Sequence, residues 1–401
     1  MMTIRCTTFA ALFGFAAITA GGSASAQSSL PPARPLGQIV RASTPQLGSV
    51  STVRALANGN IVVNDIAGRR VVMFDSTLAT MTTIADSTSA TATAYSSRVG
   101  GLMAYHGDST LFVDPTSMSM MVIDAKGAMG RVMSVPRPQD ATFLIGGPFG
   151  YPGFDAQGRL VYRTIIRPLR LPPGPDGKMV MPEPVDSAPI IRFDLEVRKS
   201  DTAAYIKVAA PRMNVTQDGP RIMMTTTVNP LPLTDDWAIL SDGSIALVRG
   251  KDYRVDWLNA DGTITKGPKI PFEWQRLTDA DKDAVIDSTR KAIEAQRARL
   301  QQSLSGTAPV AGGGSKTATG GEDRAVTMTF STRDGGGGNG PPPSGSGPNT
   351  AMNMQVPPLQ LVPASELPDY RPAFSTGAAR GDADGNLWIR TSRFVNGGQV
   401  Y

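Results

Sequence analysis

The chain has 401 residues, with 39 Lys and Arg against 34 Asp and Glu, one Cys and one His. That inventory excludes a disulfide framework, thiolate metal sites and the common multi-histidine zinc sites. The small cationic excess is scattered. Its densest group, Arg163, Arg167 and Arg170, lies among prolines without interleaved aromatics, which reads as a solvated surface and not a nucleic-acid footprint.

At the N-terminus, Arg5 precedes the apolar run from Phe9 to Ile18, and small residues follow as far as Ala24-Ser25-Ala26. This order predicts a secretory signal peptide over 1–26, cleaved after Ala26. Its apolar core is well short of the roughly 20 residues that a bilayer span requires. Cys6 would leave with the signal. No later stretch is long and apolar enough to span a membrane, so the expected location is extracytoplasmic, either periplasmic or secreted.

Beyond the signal, one short pattern recurs: a turn with Gly or Asp, a short polar residue, then three or four apolar residues. The copies are Asn58-Gly59-Asn60-Ile61-Val62-Val63, Gly107-Asp108-Ser109-Thr110-Leu111-Phe112-Val113, Gln157-Gly158-Arg159-Leu160-Val161-Tyr162, Asp242-Gly243-Ser244-Ile245-Ala246-Leu247-Val248 and Asp384-Gly385-Asn386-Leu387-Trp388-Ile389. Gly supplies the positive φ of a hairpin turn, and the β-branched and aromatic run suits a strand covered on both faces. After four of the copies a second apolar stretch ends in an acidic or turn residue, as in Arg70-Val71-Val72-Met73-Phe74-Asp75 and Met120-Met121-Val122-Ile123-Asp124. A turn, two central strands and an outer strand make most of a four-stranded propeller blade. Steps of about 49 and 50 residues separate Gly59, Asp108 and Gly158, within the range for blades. The competing all-β arrangement is a sandwich.

On these five hairpins, most clearly Asp384-Gly385-Asn386-Leu387-Trp388-Ile389, the chain resembles the bacterial six-bladed β-propellers related to NHL-repeat and gluconolactonase-type proteins. The expected fold is therefore all-β: a six-bladed β-propeller, C-terminally incomplete, with one inserted helix and a disordered Gly/Pro-rich insertion. Blades are expected over 27–277 and again over 359–401.

Between them, 278–304 reads as a helix capped by Thr278, with Asp281 at the capping-box spacing and Asp279 and Asp283 in the first turns. Its apolar stripe is thin, which suits a helix on the propeller rim. The low-complexity linker over 305–358 cannot bury enough surface to order itself, apart from the alternating island Ala325–Phe330. A shorter proline-rich insertion lies between Arg163 and Pro189. At the C-terminal end, Gln399 should open the second strand of a hairpin, so the pattern anticipates continuation beyond Tyr401. The rival is a smaller ring closed by a strand at Gly37-Gln38-Ile39-Val40-Arg41.

No phosphate loop and no serine nucleophile elbow is present. His106 sits in a turn, where a solvated imidazole is the expected role. An oxygen-ligand site for Ca²⁺ or another divalent metal would draw on Asp65, Asp114, Asp155 and Asp382, at or near the ends of the repeated strands. The same residues serve equally as turn caps. Gluconolactonase-type relatives imply a Glu, Asn and Asp metal set, but no position here matches it residue by residue. Trp257 and Trp388 are expected to pack between blades, and Trp237 and Trp274 to be more exposed. The expected function is non-enzymatic: binding of an unidentified small-molecule ligand or protein partner, with no bound cofactor and no nucleic acid. The alternative is a metal-dependent hydrolase or lactonase acting on a small substrate.

Overall fold

The computed structural model describes residues 30, 32–35, 37–88, 94–96, 99–166, 185–210, 212–218, 221–259, 261–304, 359–395 and 397–401. The expected signal peptide, the proline-rich stretch at 167–184 and the expected linker with its island at Ala325–Phe330 lie outside the described residues.

Blade 1 is β1 (Val50–Ala55), β2 (Ile61–Asp65), β3 (Arg70–Phe74) and β4 (Met81–Ala85), in antiparallel order from first to last. Blade 2 repeats it with β5 (Gly101–Ala104), β6 (Thr110–Asp114), β7 (Ser119–Ile123) and β8 (Met129–Ser134). Blade 3 is β9 (Gly153–Phe154), β10 (Leu160–Arg163), β11 (Ser187–Asp194) and β12 (Lys199–Lys207). A hairpin of β13 (Arg212–Asp218) and β14 (Arg221–Val228) then intervenes before blade 4. That blade comprises β15 (Asp236–Ile239), β16 (Ile245–Arg249), β17 (Arg254–Leu258) and β18 (Ile264–Lys269). The helix α1 (Asp279–Leu304) and the short β19 (Leu359–Leu361), which pairs parallel to β14, lead to a fifth sheet begun by β20 (Phe374–Gly381) and β21 (Leu387–Thr391). A small hairpin of β22 (Phe394–Val395) and β23 (Gly398–Gln399) completes the order; Gln399 lies in a second strand, but it ends that strand and pairs with Phe394 in a sheet separate from β21.

Each of the five sequence copies thus becomes the second strand of a sheet, and in blades 1 to 4 that strand is almost wholly buried. Every residue of β6 and β10 is buried, whereas β8 and β18 on the outside are largely exposed. Alternation sends neighbouring side chains to opposite faces. Phe112 packs toward blade 1 with Val62, Val71 and Ile84, while Leu111 and Val113 pack toward blade 3 with Leu160 and Phe193. Further layers join blades 3 and 4 through Val161, Ile190, Ile245 and Leu247, and blades 4 and 5 through Val248, Ala379 and Ile389. This face-to-face stacking of four-stranded sheets is a β-propeller.

The connections divide by end. First-to-second and third-to-fourth strands are joined by tight turns at what is here termed the lower end, and successive turns lean on one another. The Asp108 carboxylate accepts the Ala57 amide at 3.0 Å, and the Gly243 turn abuts Ala156. All the long connections leave from the upper end: 86–100, 135–152, 164–186, 208–235 and 270–373.

Thr278 and Asp281 cap α1 reciprocally: the Thr278 amide donates to Asp281 Oδ2 at 2.9 Å and the Asp281 amide to Thr278 Oγ1 at 3.2 Å. Ile286 anchors the helix against Val362 and Leu367. Four expectations change. Arg163 is not solvated but 6% exposed, because it ends the buried strand β10 and points inward. Trp237 is fully buried, because β15 is an inner strand wedged between neighbouring blades. Trp388 is 45% exposed and donates its indole N–H to Asp382 instead of packing between blades. Residues 37–41 form no strand; Ile39 and Val40 are exposed, and the pairing partner of β2 is β1.

Candidate functional site

Asp65 and Asp114 stand at the upper end, where β2 and β6 finish; Asp155 and Asp382 stand at the lower end, before β10 and β21 begin. A strand of this length separates the two pairs by roughly 15 Å, so the fold does not bring the four together. Each carboxylate closes its own turn. Asp65 accepts the amides of Ser49 at 2.9 Å and of Gly48 and Gly68 at 3.1 Å, with the Arg70 guanidinium at 3.0 Å. Burial pushes its pKa up, but those donors outweigh it and hold the group at about 2. Asp114 accepts from Ser96, Thr116 and Ser117, and Asp155 from the Gln157 and Arg159 amides and the Arg159 guanidinium. Asp382 takes Trp388, Asn386 and Asp384, which lower its pKa to about 2. Among the described residues, no group of three or more His, Cys, Asp or Glu is placed to hold a metal. His106 is exposed in its turn and stacks on Tyr105 with ring centroids 4.5 Å apart.

The upper end holds a different polar cluster. Residues 146–151, Gly-Gly-Pro-Phe-Gly-Tyr, form a strap that reaches from the connection between blades 2 and 3 across to blades 4 and 5. Trp237 donates its indole N–H to the Phe149 carbonyl at 2.8 Å, and Arg380 meets Tyr151 through both the phenol oxygen and the ring face. Gly150 has φ +85°, and a Cβ there would lie 2.3 Å from Trp237 Nε1, so only glycine lets the strap seat on this indole.

Beneath the strap lie Arg163 and Asp236. Asp236 accepts the Ala379 amide at 2.9 Å, and the amides of Trp237 and Ala378 also bear on it. Burial raises its pKa to about 6 against the opposing pull of those amides and of Arg163. Arg163 is lowered to about 10 by burial, offset in part by Asp236. Its guanidinium lies 5.2 Å from the Phe149 ring centroid and donates through Nη1 to the Pro148 carbonyl at 3.4 Å, while its buried Nε has no hydrogen-bond partner. Burial thus raises the carboxyl and lowers the guanidinium of two neighbouring groups at the upper end, the pattern by which functional groups are recognised.

Two concavities flank these features. An upper recess of about 200 Å³ is bordered by Arg137, Asp140, Thr164 and Ile191. Here the buried Asp140 carboxylate takes Arg137 at 2.6 Å, Thr164 at 2.9 Å and Tyr162 at 3.0 Å. Burial and, next, the Asp140 charge push the Tyr162 phenol up. A lower groove of about 370 Å³ runs between blades 3 and 4 past Arg159, Arg192, Asp242 and Asn259. Arg192 is already held by Asp201 at 2.7 Å there.

Asp236 and Arg163 were not singled out in the sequence as binding residues. The available signals were the strap itself, whose glycines and prolines in Gly146-Gly147-Pro148-Phe149-Gly150-Tyr151-Pro152-Gly153 mark a demanding backbone path, and an Asp directly before a Trp in an apolar strand.

No family model matches the chain, and no curated protein does. Among solved structures it is similar to a streptogramin B lyase at 11% identity and TM-score 0.29, over 56% of this chain; it spans only 55% of that chain. It is also similar to a gluconolactonase from Xanthomonas campestris, at 13% identity and TM-score 0.27, over 57% of this chain and 79% of the other. A third likeness is to a chain of the nidogen/laminin complex, at 12% identity and TM-score 0.32, over 57% and 69% of the two chains. Among the described residues, no helix is long and apolar enough to cross a membrane.

Proposed function

We propose that this chain is an exported, non-enzymatic β-propeller that binds a ligand or protein partner through its upper face. The observation that carries the reading is the asymmetry of its connections. The lower end is made of tight turns, while the strap, the β13–β14 hairpin, α1 and the insertion after Arg163 all leave from the upper end. Connecting segments on a rigid scaffold are where binding residues concentrate. The four candidate metal carboxylates act as turn acceptors, the other role open to them, which supports binding over metal-dependent hydrolysis.

Two exposed lysines separate the faces: Lys251 in an upper turn and Lys126 in a lower one. A photo-crosslinking side chain placed at either position, in cells exporting the protein, should yield an adduct from Lys251 and none from Lys126. Adducts only from Lys126, or equally from both, would sink the upper-face assignment. A melt with millimolar Ca²⁺ and again with chelator tests the metal. A site filled at about 100 times its Kd would add roughly 2.7 kcal/mol, and a midpoint rise of that order would revive the hydrolase reading. Coincident melts are the expected result.

A further inference from the structure

Arg163 is a buried cation without a contacting counter-ion. Among the described residues, no carboxylate lies within ion-pair distance of it; Asp236 acts on it only at longer range and is itself satisfied by backbone amides. One edge of the guanidinium, at Nη1, rests on a 3.4 Å contact with the Pro148 carbonyl. The other edge, Nε with Nη2, meets no acceptor among the described residues, and the Nε is fully enclosed. Burying a charge without a paired, hydrogen-bonded partner is expensive. Nothing among the described residues neutralises this edge, so it is available to an acceptor that a ligand brings.

We propose that the Nε–Nη2 edge of Arg163 is the anchor for a carboxylate group of the ligand bound at the upper face, reached when the strap over 146–151 moves aside. The two parallel N–H groups of that edge match the two oxygens of a carboxylate. Charge selects the monoanion. Asp236 stands close enough to influence Arg163, so the spot has at most one positive charge to offer, which disfavours a dianionic phosphate. The Phe149 ring beside the guanidinium suits an apolar group next to the carboxylate. The strap is held by polar contacts from Trp237, Arg163 and Arg380, by the Arg380 guanidinium over the Tyr151 ring and by Phe149 packed edge-on against Phe143 at 4.7 Å. None of these is a strand pairing, so displacing the strap leaves the blade ladders intact. This proposal rests on the upper-face reading and deepens it.

The test is a thermal melt of the full chain in sodium acetate and in N-acetylglycine, against chloride and sulfate at matched ionic strength. At a tenfold excess over Kd, a specific carboxylate should raise the midpoint by about 2 °C. The rise should vanish in Arg163→Met and persist in Arg131→Met, whose arginine is exposed on a distant outer strand. Arg163→Lys keeps the charge and loses the fork; it should retain less than half of the rise, and it covers the case in which the methionine variant fails to fold. Equal shifts in sulfate or chloride, no shift with either carboxylate, or a shift that survives in Arg163→Lys undiminished would each overturn the assignment. Loss of the carboxylate effect with crosslinking at Lys251 intact would remove this anchor and leave upper-face binding standing.

Discussion

Replacing Asp65 by Asn separates a structural carboxylate from a metal ligand. In the native protein this carboxylate is buried and gathers three backbone amides and the Arg70 guanidinium, which lowers its pKa from 3.8 to about 2. A group depressed on folding contributes stability that is fully present above its unfolded pKa and is lost as pH falls through the folded one. At 1.36 kcal/mol per unit the depression corresponds to roughly 2 kcal/mol at pH 7, of which roughly half should remain at pH 3. The Asn variant keeps the shape, but it offers one neutral oxygen to four donors and turns an NH₂ toward the others. Urea unfolding of native and variant protein at pH 7 and pH 3, with chelator and again with Ca²⁺, should show a difference near 2 kcal/mol in both that shrinks by about half on acidification. A difference that is the same at both pH values, or that appears only when Ca²⁺ is supplied, would refute the account of Asp65 as the acceptor that closes the β2–β3 turn.

Trp237→Phe should leave the Phe149 carbonyl without its donor and cost about 1–3 kcal/mol. Near-ultraviolet circular dichroism and a melt would read it, and an unchanged midpoint would contradict the seating of the strap on the indole. Gly243→Ala should cost about 2–4 kcal/mol, because the residue has φ +83° and an added Cβ would meet the Ala156 backbone nitrogen at 2.2 Å. A silent substitution in the same melt would show that the turns of blades 3 and 4 do not abut.

The repeated hairpins were legible because their two signals are local. A glycine-containing turn, Asn-Gly or Asp-Gly in three of the five copies, and a short apolar run are properties of eight neighbouring residues, and five copies in order read as repeated strands. The helix was legible for the same reason, since Thr278 and Asp281 meet within one turn. The fates of Arg163 and Trp237 were not. Arg163 stands at the end of an apolar run just before a proline-rich excursion and Trp237 at the start of one just after a connection, so the adjoining sequence does not say what covers them. Their neighbours in space are β20, the strap and blade 4. The four aspartates were placed correctly at strand ends, yet whether strand ends converge depends on which end of which blade each occupies.

By itself, then, the sequence determined the elements: a β-rich chain of repeated blades, the capped helix, and the turn-forming role available to each Asp, because those follow from backbone preferences and hydrogen bonds over a few residues. Only the tertiary structure decided which end of the propeller carries the long connections, which tryptophan is buried and which buried arginine has no counter-ion in contact among the described residues. Those outcomes depend on the stacking of sheets from distant parts of the chain, where burial removes the water that would otherwise satisfy every charge.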